Sequence, residues 1–286
     1  MGTKIGTGLI HMERTHTREF EIQLKILLEA INLKYDYDFR QYAPASMQRT
    51  VVHAMNRMAC RTILELKNKV LGDVECFYDL LQSLTIPVSE MFRDHTYFLA
   101  LREKVIPHLK TYPSIKVWVA GCSTGEEVYS LAILLKEEDL LERTTLYATD
   151  INSRNLEQAE KGLFDLAAIN NCAQSYQKSG GKCRFTDYYT VIAGGAKFKN
   201  ALKKNITFAD HSLVTDGVFS EMHLISCRNV LIYFDRELQD KTLKLFFDSL
   251  FKKGFLGLGA QETIQFLKYA KYYDPFVKND RIYQKK

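Results

Sequence analysis

Apolar residues near the start of the chain recur at intervals of three and four. This spacing places them on one face of an α-helix. The repeating positions are Phe20, Leu24, Leu27, Leu28 and Ile31. The pattern continues to about residue 84, with Pro44 as the only proline in this part, and it predicts an all-α N-terminal domain over residues 19–84. Residues 1–18 are interpreted as a flexible leader.

From Lys116 onward, short apolar runs alternate with helical patterns. The runs predicted as strands are Val117–Ala120, Leu146–Ala148, Ile206–Ala209, Met222–Ser226 and Gly254–Leu258. The helical patterns cover Leu131–Leu135, Asn152–Lys161 and Arg236–Phe251. Strands that alternate with crossover helices predict an α/β fold with a doubly wound, mostly parallel sheet.

Two features predict antiparallel strands in addition to the parallel ones. The runs Tyr272–Val277 and Arg281–Gln284 are short and close together, which predicts a final hairpin and hence a mixed sheet. Glycine pairs at 180–181 and 194–195 flank the β-prone run Asp187–Ile192, so a small antiparallel β-subdomain is expected as an insert at about residues 180–205. Residues 85–98 contain Pro87 and are interpreted as a linker, followed by the α/β domain over residues 99–286.

Composition and charge narrow the class of protein. The 286 residues are 46% hydrophobic, yet no apolar run reaches the roughly 18 residues that a membrane helix needs. A cytoplasmic protein without direct membrane insertion is therefore expected. The six cysteines lie far apart and form no C-x-x-C pair, which argues against a disulfide framework and against zinc, so no metal site is expected. The net charge of +5 permits nucleic acid or an acidic protein surface as partner.

The strongest chemical motif is a strand that runs into a glycine turn and then a helix. Gly121 and Gly125 allow a ligand to approach the backbone closely, but the third glycine of a dinucleotide fingerprint is missing, which disfavours NAD. Asp150 ends the next predicted strand, where a carboxylate accepts hydrogen bonds from ribose hydroxyls. Adenosine without phosphates fits this pair of features. The alternative for Asp150 is a solvated loop carboxylate.

The two glutamates after the glycine turn have a second interpretation. Ser123 and Glu126 match the spacing of a capping box, and so do Thr124 and Glu127. In such a box the glutamate only stabilises the helix N-terminus.

These residues, with several further blocks, resemble the chemotaxis receptor methyltransferase (CheR) family over about residues 19–286. The matching blocks are Ile86–Asp94, Ser123–Glu127, Ala148–Ile151, Phe208–Leu213 and Cys227–Asp235. The resemblance implies a helical N-terminal domain and a Rossmann-like methyltransferase domain with an inserted β-subdomain. It further implies methyl transfer from S-adenosylmethionine to glutamate side chains of receptors, with S-adenosylhomocysteine as product.

The resemblance also implies roles for individual residues. The family's cofactor contacts fall on Ser89, Arg93, Glu127, Asp150, Ser212, Leu213, Arg228 and Asn229. Ser89 stands where many members have threonine and keeps the hydroxyl, whereas Ser212 stands where similar sequences usually have asparagine. Pro87 occupies a place where some members have an asparagine, so a side-chain hydrogen bond from there is lost.

Methyl transfer to a glutamate needs little acid–base chemistry. A glutamate carboxylate has a pKa of about 4.3 and is ionised near neutral pH. Arg93 is the candidate to hold the substrate carboxylate by a forked pair of hydrogen bonds, and Tyr233 is the second candidate for the methyl-transfer pocket. The alternatives are a salt bridge from Arg93 to Asp94 or Glu90, and a half-buried aromatic role for Tyr233.

A basic stripe in the N-terminal domain is a candidate docking surface. Its residues recur every four positions and are expected along one face of a helix: Arg49, His53, Arg57 and Arg61. The expected partner is the cytoplasmic helical domain of chemotaxis receptors, where the negatively charged glutamates at the methylation sites complement a basic helix. The alternative is an ordinary solvated face. The β-subdomain offers an edge that in some family members captures a receptor tail by strand addition.

Three rival functions remain at this point. A nucleic-acid methyltransferase usually carries an Asn/Asp-Pro-Pro-aromatic motif after the fourth strand, but this chain has Ser226–Val230 there, so no nucleic-acid partner is expected. The main alternative is a non-catalytic module that binds S-adenosylmethionine or docks on a receptor, a possibility raised by Ser212. A small-molecule carboxyl methyltransferase would leave the helical domain and the β-insert without a function.

Overall fold

The chain divides into two compact units. A computed structural model describes residues 17–85 and 89–286. The first unit holds residues 17–85 together with Tyr233–Leu238, and the second holds residues 89–232 and 239–286. Apart from residues 17 and 18, the predicted leader lies outside the described residues, as does Pro87 of the predicted linker.

The first unit is built from four helices, which confirms the predicted all-α N-terminal region. They are α1 (Arg18–Tyr35), α2 (Pro44–Arg57), α3 (Ile63–Gly72) and α4 (Val74–Leu84). Three of them begin at a side-chain cap that accepts a backbone N–H, as helix N-termini require: Thr17 for α1, Thr62 for α3 and Asp73 for α4. The apolar stripe predicted on α1 is buried at Leu24, Leu27, Leu28 and Ile31.

The basic stripe does not extend as far as predicted. Helix α2 ends at Arg57 because Ala59 takes a left-handed conformation (φ 52°) and the N–H of Cys60 turns back to the carbonyl of Met55 at 2.8 Å. The placement of Arg61 on this helix was therefore wrong. Arg49, His53 and Arg57 lie on α2, and all three are exposed.

The second unit contains a seven-stranded sheet in the order β6-β2-β1-β7-β8-β10-β9. Its strands are β1 (Ile115–Ala120), β2 (Thr144–Asp150), β6 (Ile206–Asp210), β7 (Met222–Cys227), β8 (Leu250–Leu258), β9 (Tyr273–Val277) and β10 (Ile282–Lys285). Strands β6, β2, β1, β7 and β8 are parallel to their neighbours, whereas β10 is antiparallel to both β8 and β9. The predicted mixed sheet and terminal hairpin are thus confirmed.

Helices connect these strands. They are α5 (His95–Ala100), α6 (Ile106–Leu109), α7 (Glu126–Glu137), α8 (Ser153–Lys161), α9 (Leu166–Asn171), α10 (Ala173–Lys178), α11 (Asn200–Lys203) and α12 (Arg236–Ser249). A π-helical turn, Leu101–Val105, joins α5 to α6. Strands β1 and β2 are buried over most of their length, as expected for a sheet that is covered on both faces. None of the described helices combines the length and apolar character needed to cross a membrane.

A second, three-stranded antiparallel sheet has the order β3-β5-β4. Strands β4 (Tyr189–Ile192) and β5 (Gly195–Phe198) form the hairpin expected in the insert, but β3 (Leu163–Phe164) comes from before residue 180. Gly195 is required where β5 meets β3, because a Cβ there would lie 2.2 Å from the carbonyl oxygen of Phe164.

A buried carboxylate fastens the region around this small sheet to the larger one. The side chain of Glu137, at the end of α7, is 1% exposed and pairs with Arg102 at 2.6 Å. It also accepts hydrogen bonds from the hydroxyls of Tyr176 and Tyr188 and from the N–H of Lys182. Burial acts to raise the pKa of Glu137, but these hydrogen bonds bring the pKa below its ordinary value.

We expect Glu137→Ala to lower the free energy of unfolding by about 2–4 kcal/mol. One Nη of Arg102, the hydroxyl of Tyr188 and the N–H of Lys182 lose this acceptor, while Glu138 still pairs with the other Nη of Arg102. Urea denaturation measures the loss. The difference from wild type should narrow as the pH falls through the lowered pKa of Glu137, because protonation removes the same interactions. The control is Glu142→Ala, whose carboxylate is 81% exposed and should matter by less than about 1 kcal/mol. Equal effects of the two variants would contradict this role.

Candidate functional site

The glycine turn after β1 begins helix α7 without a side-chain cap. Gly125, in a left-handed conformation (φ 99°), is the N-cap residue. The capping-box predictions for Ser123 and Thr124 were therefore wrong, because the helix begins after both residues. The hydroxyl of Thr124 instead donates to the carboxylate of Glu126 at 2.8 Å. Gly121 also has a positive φ (73°), and a Cβ there would lie 2.6 Å from Val230.

Asp150 ends strand β2, as the sequence predicted, and lies beside the glycine turn. Its carboxylate accepts the N–H of Ser123 at 2.8 Å and the N–H of Asn152 at 2.9 Å. The residue is 8% exposed, so the alternative of a solvated loop carboxylate was wrong. Burial raises the pKa of Asp150, and the hydrogen bonds from Asn152 and Ser123 act in the opposite direction.

Arg228 follows strand β7 and is the centre of a buried charge network. Its side chain is 1% exposed and forms ion pairs with Glu127 at 3.0 Å and with Asp94 at 2.8 Å. One Nη also donates to the carbonyl of Arg93 at 2.9 Å, and the guanidinium lies 4.2 Å from the ring centre of Tyr97. Burial acts to lower the pKa of Arg228, but the neighbouring carboxylates raise it. The guanidinium is therefore a fixed cation.

Two hydroxyl groups extend this network on the side of Glu127. The hydroxyl of Ser226 donates to Glu127 at 2.6 Å, and it lies 2.7 Å from the hydroxyl of Tyr97. Tyr97 is fully buried, and a Cβ at Gly257 would lie 2.1 Å from its hydroxyl oxygen. Sequence reasoning missed both Tyr97 and Ser226. It considered Asp94 only as a partner of Arg93, whereas the Asp94 carboxylate pairs with Arg228.

Glu262 is a third residue that the sequence did not identify. Its buried carboxylate accepts backbone N–H groups from Asn229, Val230 and Ile232, in the segment that follows Arg228. Asn229 has a left-handed backbone (φ 61°). A glutamate in an otherwise unremarkable Ala-Gln-Glu-Thr run carries no local signature of this contact.

The remaining predicted site residues have separate surroundings. The hydroxyl of Ser89 hydrogen bonds to Glu126, and both residues line a cleft of about 380 Å³. The hydroxyl of Ser212 accepts the N–H groups of Val214 and Thr215 at 3.2 Å each, in a turn just after β6. Leu213 is buried. Tyr233 belongs to the first unit, where its carbonyl accepts the N–H of Ala43 at 2.8 Å.

The structure thus brings some predicted residues together and separates others. Glu127 and Arg228 share one network with the backbone of Arg93, while Asp150 lies at the neighbouring strand end. Ser89, Ser212 and Tyr233 take no part in that network through the contacts described above. No group of three or more His, Cys, Asp or Glu side chains arranged for a metal occurs in the described ranges 17–85 and 89–286.

The fold and the site define an S-adenosylmethionine-dependent methyltransferase. Residues 87–275 match the family model described as CheR methyltransferase, SAM binding domain. The chain therefore belongs to the CheR methyltransferase family, and its cofactor is S-adenosylmethionine.

Several known proteins are similar to this chain. The chain is 52% identical to "Putative methyltransferase Cher3" of Pseudomonas putida, over 95% of this chain and 99% of that protein. It is 29% identical to the chemotaxis protein methyltransferase of Listeria innocua, over 79% of this chain and 84% of that one. The structure of the N-methyltransferase NodS of Bradyrhizobium japonicum with S-adenosylhomocysteine aligns with a TM-score of 0.34 and 15% identity, over 59% of this chain and 62% of that chain.

The residues present fit this cofactor. Asp150 supplies a fixed carboxylate beside a glycine turn, the arrangement that adenosine hydroxyls use. The buried Nε of Arg228 has no hydrogen-bond partner among the described residues, so a polar donor is left at this strand end. Buried donors of this kind are normally satisfied by protein, water or ligand.

We expect Ser226→Ala to lower the free energy of unfolding by about 1–3 kcal/mol, because the buried Tyr97 hydroxyl and one oxygen of Glu127 both lose their partner. The measurement is urea denaturation. Tyr97→Phe is the matched control, since it keeps the bond between Ser226 and Glu127 and should cost only about 1 kcal/mol. A Ser226→Ala protein as stable as wild type would show that the hydroxyl is not needed for the network.

Proposed function

We propose that this protein transfers a methyl group from S-adenosylmethionine to glutamate side chains of chemotaxis receptors. The products are glutamate methyl esters and S-adenosylhomocysteine. The observation that carries the proposal is the state of the site carboxylates. Glu127 and Asp94 are paired with Arg228, and Asp150 accepts backbone N–H groups. A substrate that is already ionised needs no base, and glutamate meets that condition.

The task of the protein is then positioning and charge handling. When bound, S-adenosylmethionine supplies a methyl group on a positively charged sulfur, which a carboxylate oxygen can attack. Asp150 accepts hydrogen bonds from the ribose, and Arg228 with Glu127 fixes the polar wall of the site. Arg93 directs its forked guanidinium to the substrate carboxylate, and Tyr233 is the second candidate for the methyl-transfer pocket, as the family resemblance suggests. Exclusion of water favours a reaction in which opposite charges disappear.

The family resemblance is the support for the remaining assignments. It assigns cofactor contacts to Ser89, Ser212, Leu213 and Asn229, and it assigns the reaction to the cytoplasm, where the helical domain of a receptor lies. The similarity to a protein named chemotaxis protein methyltransferase supports the receptor as substrate.

A non-catalytic module is the second candidate function, and one observation favours it. Ser212 stands where similar sequences have asparagine, and its oxygen already accepts two backbone N–H groups in its own turn. A weaker contact with the adenosine end would follow. In this case the protein binds S-adenosylmethionine or docks on a receptor without methyl transfer.

Labelled methyl transfer tests the proposal. Wild-type protein should transfer label from S-adenosylmethionine to receptor-containing membranes as a base-labile ester. Asp150→Ala should abolish measurable cofactor binding and with it the label, because the ribose loses its acceptor. The matched control is Asp210→Ala, which removes the exposed carboxylate paired in register with Asp150 on the adjacent strand and should transfer label normally.

The outcomes of this experiment test the ribose assignment and the choice between methyl transfer and a non-catalytic module. Unchanged cofactor affinity in Asp150→Ala would refute the ribose assignment. Cofactor binding by wild type without label on any of several cognate receptors would favour the non-catalytic module over methyl transfer.

Charge reversal tests docking by the basic face of α2, now defined as Arg49, His53 and Arg57. Arg49→Glu with Arg57→Glu should raise the KM for receptor roughly tenfold at low salt and leave the KM for S-adenosylmethionine unchanged, because opposite charges speed encounter. Steady-state kinetics at two salt concentrations measures both constants. Arg49→Glu is also tested alone, because the guanidinium of Arg57 donates to the carbonyl of Asp79 and its loss perturbs the first unit.

The control has the same change in charge on the second unit. Lys268→Glu with Lys278→Glu replaces two exposed lysines and should leave the KM for receptor unchanged. If the two double variants behave alike, net charge accounts for the effect and the α2 face is not the docking surface.

A further inference from the structure

The carboxylate of Glu262 is saturated by backbone donors. Oε1 accepts the N–H of Val230 at 2.9 Å and that of Ile232 at 3.3 Å. Oε2 accepts the N–H of Gly259 at 2.7 Å and that of Asn229 at 2.9 Å. Glu262 is 3% exposed. Four donors match the four lone-pair sites of an ionised carboxylate, so this side chain is an internal anion enclosed by peptide groups.

The segment from Asn229 to Ile232 depends on this anion. It leaves the central strand β7, so its N–H groups no longer take part in the sheet, and groups removed from water require a partner. Asn229 also holds a left-handed backbone at φ 61°, a conformation that asparagine tolerates better than most residues with a side chain. Three of the four N–H groups in this segment, those of Asn229, Val230 and Ile232, converge on one carboxylate, which over-determines this conformation.

This segment contains one proposed cofactor contact, Asn229, and directly follows another, Arg228. Arg228 precedes Asn229 directly, so the path of the backbone at 229 sets the direction from which the Arg228 guanidinium meets Glu127. The side chain of Asn229 lies against Gly259, where a Cβ would be 2.8 Å from its Nδ2. Glu262 accepts the N–H groups of both Asn229 and Gly259. It therefore fixes the backbone on both sides of the contact between these two residues.

We propose that Glu262 is a positioning residue for the cofactor site, acting through the backbone of Asn229 to Ile232 on the side chains of Arg228 and Asn229. The inference rests on the proposed cofactor contacts of those two residues. It assigns a role to a residue that touches neither the cofactor nor the substrate. The negative charge of Glu262 is essential to this role, because each of its two carboxylate oxygens accepts hydrogen bonds from two N–H groups.

Glutamine at this position is a sharp probe. It has the size of glutamate, but its NH₂ group replaces one oxygen and faces two N–H donors that it cannot accept from. In Glu262→Gln the Kd for S-adenosylhomocysteine, measured by calorimetry, should rise about tenfold, and the KM for S-adenosylmethionine should rise in parallel. The kcat per folded molecule should stay within about twofold, and the KM for receptor should not change.

A purely structural role predicts a different result. It would lower the folded fraction and the thermal midpoint, but each folded molecule would bind S-adenosylhomocysteine with the wild-type Kd. That outcome would overturn the proposal. Gln261→Ala, at the exposed neighbouring position, is the control and should match wild type in Kd and in both kinetic constants.

A second variant perturbs the same contact from the other side. In Gly259→Ala the new Cβ would approach the backbone nitrogen of Asn229 to 2.9 Å and the Glu262 carboxylate to 2.9 Å, so the Kd should again rise while Glu262 keeps its charge. If neither variant folds, Glu262 is a folding determinant and the proposal fails. If wild type itself does not bind S-adenosylhomocysteine, the cofactor assignment fails instead, so the two failures are distinguishable.

Discussion

The burial of the Arg228 guanidinium constrains much of the second unit. Moving a cation out of water costs several kcal/mol even after relaxation, and at 1% exposure of the side chain this cost must be offset by nearby groups. The compensating groups come from different parts of the chain: Glu127 from α7, Asp94 and the Arg93 carbonyl from the turn before α5, and the face of Tyr97 from α5 itself. One side chain therefore holds the end of β7, the start of α7 and the turn before α5 in a single arrangement.

The turn before α5 adopts unfavourable backbone conformations in that arrangement. Phe92 and Asp94 both have left-handed backbones, with φ of 54° each, and such conformations persist only where the surroundings enforce them. The Phe92 ring is fully buried and its N–H donates to the hydroxyl of Ser130. The Asp94 carboxylate is held by Arg228. Packing at one residue and charge at the other thus fix the backbone of Arg93 between them.

Local patterns in the sequence were enough to predict the strands of the large sheet, several of the helices and the position of Asp150 at a strand end. Alternating apolar runs gave the parallel sheet, and Asp150 was placed at a strand end because strand ends are marked by adjacent polar and turn residues. The capping boxes failed because a left-handed Gly125 began the helix later than residue types alone suggest. The error at Arg61 has a similar origin, since Ala59 carries no mark of its positive φ.

The pairings within the site could not be predicted, for a topological reason. Arg228 meets Asp94 and Glu127, and Glu262 meets Asn229, across large separations in sequence that the order β1-β7-β8 brings together. No periodicity encodes which carboxylate a given arginine selects. The resemblance to the CheR family supplied Glu127 and Arg228 as separate contacts but not their mutual pairing, and it supplied nothing on Tyr97, Ser226 or Glu262.

Glu137 and Glu262 are both buried and both accept hydrogen bonds from backbone N–H groups outside regular secondary structure. Their pKa values are shifted in opposite directions, because their partners differ. The pKa of Glu137 falls because Tyr176, Tyr188 and the cation of Arg102 outweigh its burial. Burial raises the pKa of Glu262, whose partners are peptide dipoles alone. Protonation of Glu262 would place an O–H against an N–H donor, so the observed geometry belongs to the ionised form.

The charges around the proposed cofactor site bear on the role proposed for Arg93. Glu127, Asp94 and Asp150 carry three negative charges against the single positive charge of Arg228, an excess that complements a cationic sulfur centre. The same excess repels an approaching glutamate carboxylate, because like charges in a water-poor site interact more strongly than in solution. The proposed role of Arg93 supplies a second cation that offsets this repulsion. Arg93 is suited to this part, since its backbone is fixed by Arg228 while its side chain is only partly buried.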